Sequence, residues 1–353
     1  MTAVDERAVA LHRSVPVVEL HGDVPQNTWP RRRAGERDPL ASDWVGRWRE
    51  GGVDVEGLTV GGDMRVSMDG EGRPDLRCRE LIADAVEEAE ASDELALVRT
   101  AADLDAALGS GRIALLLHLE GCRPLRGSLA GLHELFELGI RSAQLTWNAA
   151  NELADGVGEP APGGLTPFGR EAVQELQRLG VLVDVSHLAP AGVRDVLELA
   201  ERPVVASHAN AAAVQPHPRN LTDAQIRGLA STGGVVGLCF FPPFIGEPAS
   251  VDRLLDHADH IAALVGPDHL ALGPDYVEMA LSAMLADMID DPVYAVEGDG
   301  PPAWAVFPEG LRRVETLPVL TAALLARGWS ESDVAKVLGG NALRVLQATL
   351  PTG

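Results

Sequence analysis

Eight short runs rich in β-branched and apolar residues alternate along the chain with longer segments of helical periodicity, and this alternation constrains the fold more than any other feature. The runs are 15–20, 53–60, 113–119, 142–147, 181–186, 204–207, 235–241 and 269–273. Most are spaced widely enough for a helix and two loops, so consecutive runs read as parallel strands joined by crossover helices. Eight such units predict an α/β protein with a closed (β/α)8 TIM barrel rather than an open sheet. At 353 residues and 46% hydrophobic, the chain has room for one barrel with insertions. No repeat, linker or low-complexity tract divides it, so 1–353 reads as a single domain. Residues 61–77 read as a polar loop before helices over 81–89 and 103–108. After the eighth run, an irregular insertion over about 276–310 contains Met279, Met284, Met288, a turn cluster at 297–302 and Trp304. It reads as a lid or a subunit contact. Closing helices are expected over about 316–348, within them 319–325 and 330–346, the latter with Ser330 as N-cap and Asp333 in its first turn.

Charge narrows the partners. A formal net charge of -23 makes an acidic, self-repelling surface, which opposes nucleic acid and anionic lipid and favours a small molecule or peptide. Cys78, Cys122 and Cys239 are odd in number and lack metal-type spacing, so they read as buried apolar residues in a reducing compartment. The first residues, MTAVDERAVALHRSV, have no apolar signal core and the last, ATLPTG, no anchor tail. The expectation is a cytoplasmic protein with no membrane partner.

The chemistry-bearing residues fall at strand ends. His21 and Asp23 follow the first run, Glu120 the third, His187 the fifth, His208 the sixth and Asp275 the eighth. In a barrel these ends open on one face. Histidines mixed with carboxylates suit zinc, and a site drawn from many strands leaves no compact motif.

Taken singly, each residue keeps a plainer alternative. His21 and Asp23 stand i, i+2, so an extended chain turns both to one side; a strand-end histidine satisfied by its neighbouring aspartate has the same pattern. Glu120 ends the apolar run IALLLHLEG, where an ionised carboxylate needs a cation or an arginine such as Arg123. His118 shares its face and reads as structural or supporting rather than a ligand. His187 and His208, each preceded by serine, end consecutive strands roughly 4.8 Å apart and both can reach one ion. Asp184 is one residue out of phase with His187 and reads as a structural contact. Asp275 can move a proton, bind a substrate amine or cap a helix. Arg219 in HPRN is placed to grip a carboxylate by a bidentate pair, or is a surface arginine, and His217 beside it reads as a loop residue. A bridge of carbamylated lysine, used by one family of metal-dependent barrels, is excluded because the sole lysine, Lys336, lies in the C-terminal helical segment. If two metals are present, Glu120 is the only acidic strand end among the middle strands left to bridge them.

These residues resemble the membrane (renal-type) dipeptidases, binuclear zinc peptidases of metal-dependent hydrolase type with many soluble bacterial members. The resemblance covers nearly the whole chain and is densest over 116–237, where LEG, LTWNAAN, ADG, GLTPFGREAV, LGVLVDVSHL, VVASHAN, HPRNLTD and GGVVG follow in order; it returns in VGPDHLALGPD and VLGGNALRVL. It implies two zinc ions per chain, one held by His21, Asp23 and Glu120 and the other by Glu120, His187 and His208. It further implies that Arg219 binds the substrate carboxylate, that Asp275 assists proton transfer, and that Trp147 and Asn148 lie against the substrate. A metal-bridging hydroxide would then attack the amide carbonyl. Members of the family commonly dimerise, so a homodimer is expected.

Departures from the family pattern bear on the substrate. The usual D-G-H-N-D-L-P is here Glu19-Leu20-His21-Gly22-Asp23-Val24-Pro25, many members have histidine in place of Trp147, and G-S-D-F-D-G is replaced by Gly273-Pro274-Asp275-Tyr276-Val277-Glu278. Residues 57–64 lack the usual aromatic content. The expected activity is zinc-dependent hydrolysis of a dipeptide or dipeptide-like amide. The alternative is an amidohydrolase of the same fold acting on a specialised metabolite, such as a cysteinylglycine conjugate or an N-acyl amino acid. A non-catalytic, metal-stabilised binding protein would have lost a ligand or Asp275, and the chain has lost neither.

Overall fold

The computed structural model describes residues 5–64, 72–276, 291, 293–294 and 307–352. Among them run nine strands: β1 (Val17–Gly22), β2 (Val53–Gly62), β3 (Leu95–Leu97), β4 (Ile113–Glu120), β5 (Ser142–Gln144), β6 (Leu182–Asp184), β7 (Val204–Val205), β8 (Val236–Leu238) and β9 (Leu270–Leu272). All ladders are parallel, in the order β7-β6-β5-β4-β2-β1-β9-β8. Ala206 bridges Val236 in parallel, with its amide donating to Val235 O at 3.1 Å and its carbonyl accepting from Gly237 at 2.8 Å, which closes β7 onto β8. The eight expected strands therefore form the ring. β3 was not anticipated; it lies outside the ring, pairing with the first half of β4 (Leu95↔Ile113), whose second half pairs with β5 (His118↔Ser142).

Several strands are shorter than their apolar runs. Between β6 and β7 the cause is visible: the amides of Ser186 and Ser207 both donate to Asp184 Oδ1 at 2.9 Å, so a side chain replaces the ladder. The helices form the outer layer, and several start at designed caps: Thr100, Thr166, Thr222 and Ser250 each accept an amide from the first turn of the helix that follows. Two of the expected helices are longer, Pro74–Ala91 and Ala101–Ser110. The expected helix over 330–346 is instead Glu331–Ala335, a π-helical turn Lys336–Gly340, and Asn341–Thr349. The wide turn sits where Gly339 abuts the start of β1; a Cβ there would fall 2.2 Å from Pro16 O. Most of the expected insertion, including Met279, Met284, Met288 and Trp304, lies outside the described residues.

Strand alternation carries the ligands upward from an apolar floor. Ile113, Leu115, Leu117 and Leu119 of β4 cluster with Leu132 and Leu135 of the helix Leu129–Leu138. Ala114 and Leu116 cluster instead with Ala342, Val345 and Leu346 of the last helix. The inward row of β4 thus reads Ala114, Leu116, His118, Glu120, with the titratable groups at the mouth. Bulges adjust the neighbouring strands. From Glu19 to Gly22, β1 takes three steps against two of β2, and from Thr59 to Gly62, β2 takes three against two of β4. At the second bulge the chains meet so closely that a Cβ on Gly62 would fall 2.0 Å from Glu120 O, so glycine is what lets β2 support the backbone of Glu120.

Candidate metal centre

His21, Glu120, His187, His208 and Asp275 converge at the barrel mouth. Glu120 Oε1 lies 3.7 Å from His21 Nε2, 3.4 Å from His187 Nε2 and 4.0 Å from His208 Nε2. His21 Nε2 is also 3.8 Å from Asp23 Oδ1 and 3.9 Å from Asp275 Oδ1. Two sets of candidate ligand atoms, His21/Glu120/His208 and His21/Asp23/Asp275, each fall within 4.8 Å of one another. Tetrahedral ligands about 2.1 Å from a common ion stand roughly 3.4 Å apart, so the spacing suits a metal. The Arg123 alternative for Glu120 is not realised, since Arg123 turns to Asp63, donating its amide to Oδ1 at 2.8 Å.

The hydrogen-bond pattern makes the fit sharper. Ser207 Oγ donates to Asp184 Oδ2, an obligate acceptor, so the same oxygen must accept from His208 Nδ1, 2.8 Å away. Asn148 Nδ2 donates to the Asp291 carboxylate at 3.2 Å, which turns Asn148 Oδ1 toward His187 Nδ1 at 2.7 Å, again as acceptor. Both imidazoles therefore carry their proton on Nδ1. Their Nε2 lone pairs face each other at 2.9 Å, next to a carboxylate. Two acceptors cannot bond each other; a cation between them resolves the conflict. His21 Nδ1 and Nε2, both carboxylate oxygens of Asp23, and Glu120 Oε2 are buried with no hydrogen-bond partner. Asp23 even occupies the N-cap position of the helix Val24–Arg33 without bonding its amides, so its carboxylate is directed elsewhere. The donor set fits a divalent metal.

Electrostatics agree. Burial, then the charges of Asp23 and Asp275, push Glu120 well above the usual carboxylate range, against the pull of Arg219. Burial and Asp275 raise Asp23 to about 8, and burial raises Asp275 to about 6 against Arg219. Desolvation holds His21, His187 and His208 well below the ordinary imidazole value, so they are neutral, as ligands must be. A cation would reverse the direction for every carboxylate in the cluster. His187 and Asp275 also adopt left-handed backbone conformations, φ 62 and 59, strain of the kind concentrated at functional sites.

The remaining anticipated residues surround this centre. Arg219 is buried, donates through Nη2 to His208 O at 3.2 Å, keeps Nε without a partner, and lies 5.1 Å over the ring of Phe244. With His187 it lines a cavity of about 290 Å³, walled by Val185, Leu188 and Leu221. His217 accepts the amide of Arg219. Trp147 stacks 5.9 Å from His187 and meets Tyr294 at 5.8 Å. His118 bonds Ser142 Oγ and lies 3.8 Å from Asp184, in a supporting position. Asp275 Oδ2 lies 3.8 Å from Cys239 Sγ.

Of the two supporting carboxylates, sequence reasoning read Asp184 as a structural contact, which it is, and missed Asp63. Asp184 holds the backbone and hydroxyl that orient His208. Asp63 receives Trp147 N, Arg123 N and Asn151 Nδ2, tying the end of β2 to the loop after β5. The phase of Asp184 against His187 was the signal for the first; nothing local marks the second.

Comparison with known proteins adds family evidence. The sequence model described as membrane dipeptidase (peptidase family M19) matches residues 5–292 and 298–351. Dipeptidase verJ of Clonostachys rogersoniana is 32% identical over 73% of this chain and 61% of its own length. Human dipeptidase 3 is 31% identical over 97% of this chain and 66% of its own. The chain thus spans about three-fifths to two-thirds of these relatives. A metallo peptidase from Rhodobacter sphaeroides, solved with a phosphinate mimic of the dipeptide L-Ala-D-Ala, superposes with a TM-score of 0.79 at 25% identity, covering 95% of this chain and 99% of that one.

Proposed function

The chain belongs to the membrane dipeptidase family, peptidase family M19, and on that premise we propose that it is a metallo-dipeptidase cleaving a dipeptide or dipeptide-like amide. His21, Asp23 and Glu120 would hold one zinc ion, and Glu120, His187 and His208 the other. The observation that carries this reading is the pair of opposed Nε2 lone pairs beside the Glu120 carboxylate. Zinc is the choice because imidazole mixed with carboxylate is a donor set of catalytic zinc sites. When bound, the ions supply a water that ionises near neutral pH and a polarised substrate carbonyl.

The chain's own residues do the rest. Arg219, a buried guanidinium with an unused donor, binds the substrate carboxylate and fixes the amide over the centre. Asp275, in the same cluster and raised to about 6 by burial, takes the proton released at the attacking oxygen and delivers it to the leaving amide nitrogen. Trp147 and Tyr294 wall the His187 side and exclude water. No described helix is long and apolar enough to cross a membrane; the three cysteines are free and buried, which supports a reducing, cytoplasmic setting.

Arg219→Lys is expected to raise KM for a dipeptide roughly 10- to 100-fold with kcat much less affected, because a point charge cannot reproduce the bidentate pair. Steady-state kinetics with a dipeptide and its C-terminal amide check this; equal KM values would remove Arg219 from carboxylate binding.

Trp147 favours a second substrate class. Its indole stands where many family members have a histidine, stacks on a proposed ligand and cannot accept a proton. An amide of a specialised metabolite is therefore the reading to adopt if zinc-loaded protein turns over no member of a dipeptide panel.

A further inference from the structure

Asn148 was expected to touch substrate, yet both polar atoms of its side-chain amide have partners within the protein. Its oxygen accepts from His187 Nδ1 at 2.7 Å, and its nitrogen donates to Asp291 Oδ2 at 3.2 Å. The partners lie 39 and 143 residues away. Asp291 follows β9 in the chain, so Asn148 links a residue beyond the last strand to an imidazole beyond β6.

We infer that Asn148 is a positioning residue that holds His187 as its Nδ1–H tautomer, and that Asp291 sets the orientation of the Asn148 amide. This rests on the proposed metal centre. An amide has two faces of opposite character, and the Asp291 carboxylate, which accepts and never donates, distinguishes them. With the nitrogen drawn to Asp291, the oxygen must face His187, the imidazole proton stays on Nδ1, and Nε2 keeps its lone pair toward Glu120 and His208. If the amide turned over, its N–H would face Nδ1, the proton would move to Nε2, and the nitrogen directed at the metal would be blocked. His208 reaches the same state by a separate route, through Ser207 and Asp184. The two imidazoles of one zinc site are thus set by different parts of the chain, and only His187 answers to Asp291. Partners of this type typically change metal affinity 10- to 100-fold.

The test uses full-length protein freed of metal by chelation, in wild-type, Asp291→Asn and Asn148→Leu forms. Zinc is titrated against a chromophoric chelator, and ¹⁵N spectra of histidine-labelled protein report the tautomer before zinc is added. The expected result is two zinc per wild-type chain, a 10- to 100-fold weaker second equivalent in both variants with the first unchanged, loss of the pure Nδ1–H signature of one histidine, and an unaltered KM at saturating zinc. Asp291 is only partly buried, so Asp291→Asn decides the matter if Asn148→Leu does not fold. Wild-type zinc affinities and tautomer in the variants, with a raised KM, would overturn the inference and return Asn148 to substrate binding. Failure of the wild type itself to bind zinc would overturn the metal-centre reading instead.

Discussion

Glu120→Gln is expected to lower kcat/KM by about a thousandfold or more and to leave fewer than two metals per chain. Glutamine preserves the shape of the side chain and removes its charge. The position faces three imidazole nitrogens within 4.0 Å, two of them with opposed lone pairs, so in the proposed centre the loss would be that of the one anion shared between two cations. Effects of this size follow when a principal electrostatic element of an active site is removed. The apo fold should survive, because burial already pushes Glu120 toward its neutral form and a neutral amide avoids that desolvation cost. Activity assays paired with metal analysis of the same preparation check the prediction. Retention of full activity would mean that Glu120 bridges nothing.

Asp275→Asn separates chemistry from metal holding. The account predicts a fall in kcat of about 10²- to 10⁴-fold, the range for loss of a general acid–base group, with two metals retained. Asp275 Oδ1 also lies 3.9 Å from His21 Nε2, close enough that a role as ligand is a concrete alternative. Metal content distinguishes the two: a variant with one metal makes Asp275 a ligand, and a variant with two metals and wild-type kcat removes it from the reaction.

The legible part of this molecule was whatever repeats along one strand. Alternation in β4 predicted that His118 and Glu120 share a face, and they do, above Ala114 and Leu116. The strand-end positions of His21, His187, His208 and Asp275 sufficed to bring them together, because a closed barrel opens all its strand ends on one side. β3 escaped notice because three residues hold too little of a period to register. Asp63 and Asp291 were invisible for another reason. Their partners Asn151 and Asn148 are 88 and 143 residues away, and a juxtaposition made by tertiary closure leaves no local spacing to detect. The same limit hid the surroundings of Asn148: its neighbour Trp147 and the family resemblance pointed to substrate, while the carboxylate that meets its amide nitrogen lies 143 residues away.

The account stands on two metals sharing Glu120, and anomalous diffraction at the zinc edge from crystals of the zinc-loaded protein tests that most directly. It predicts two peaks flanking the Glu120 carboxylate, one beside His21 and Asp23 and the other beside His187 and His208. A single peak, or none within ligand distance of Glu120 in protein that hydrolyses dipeptides, would contradict it.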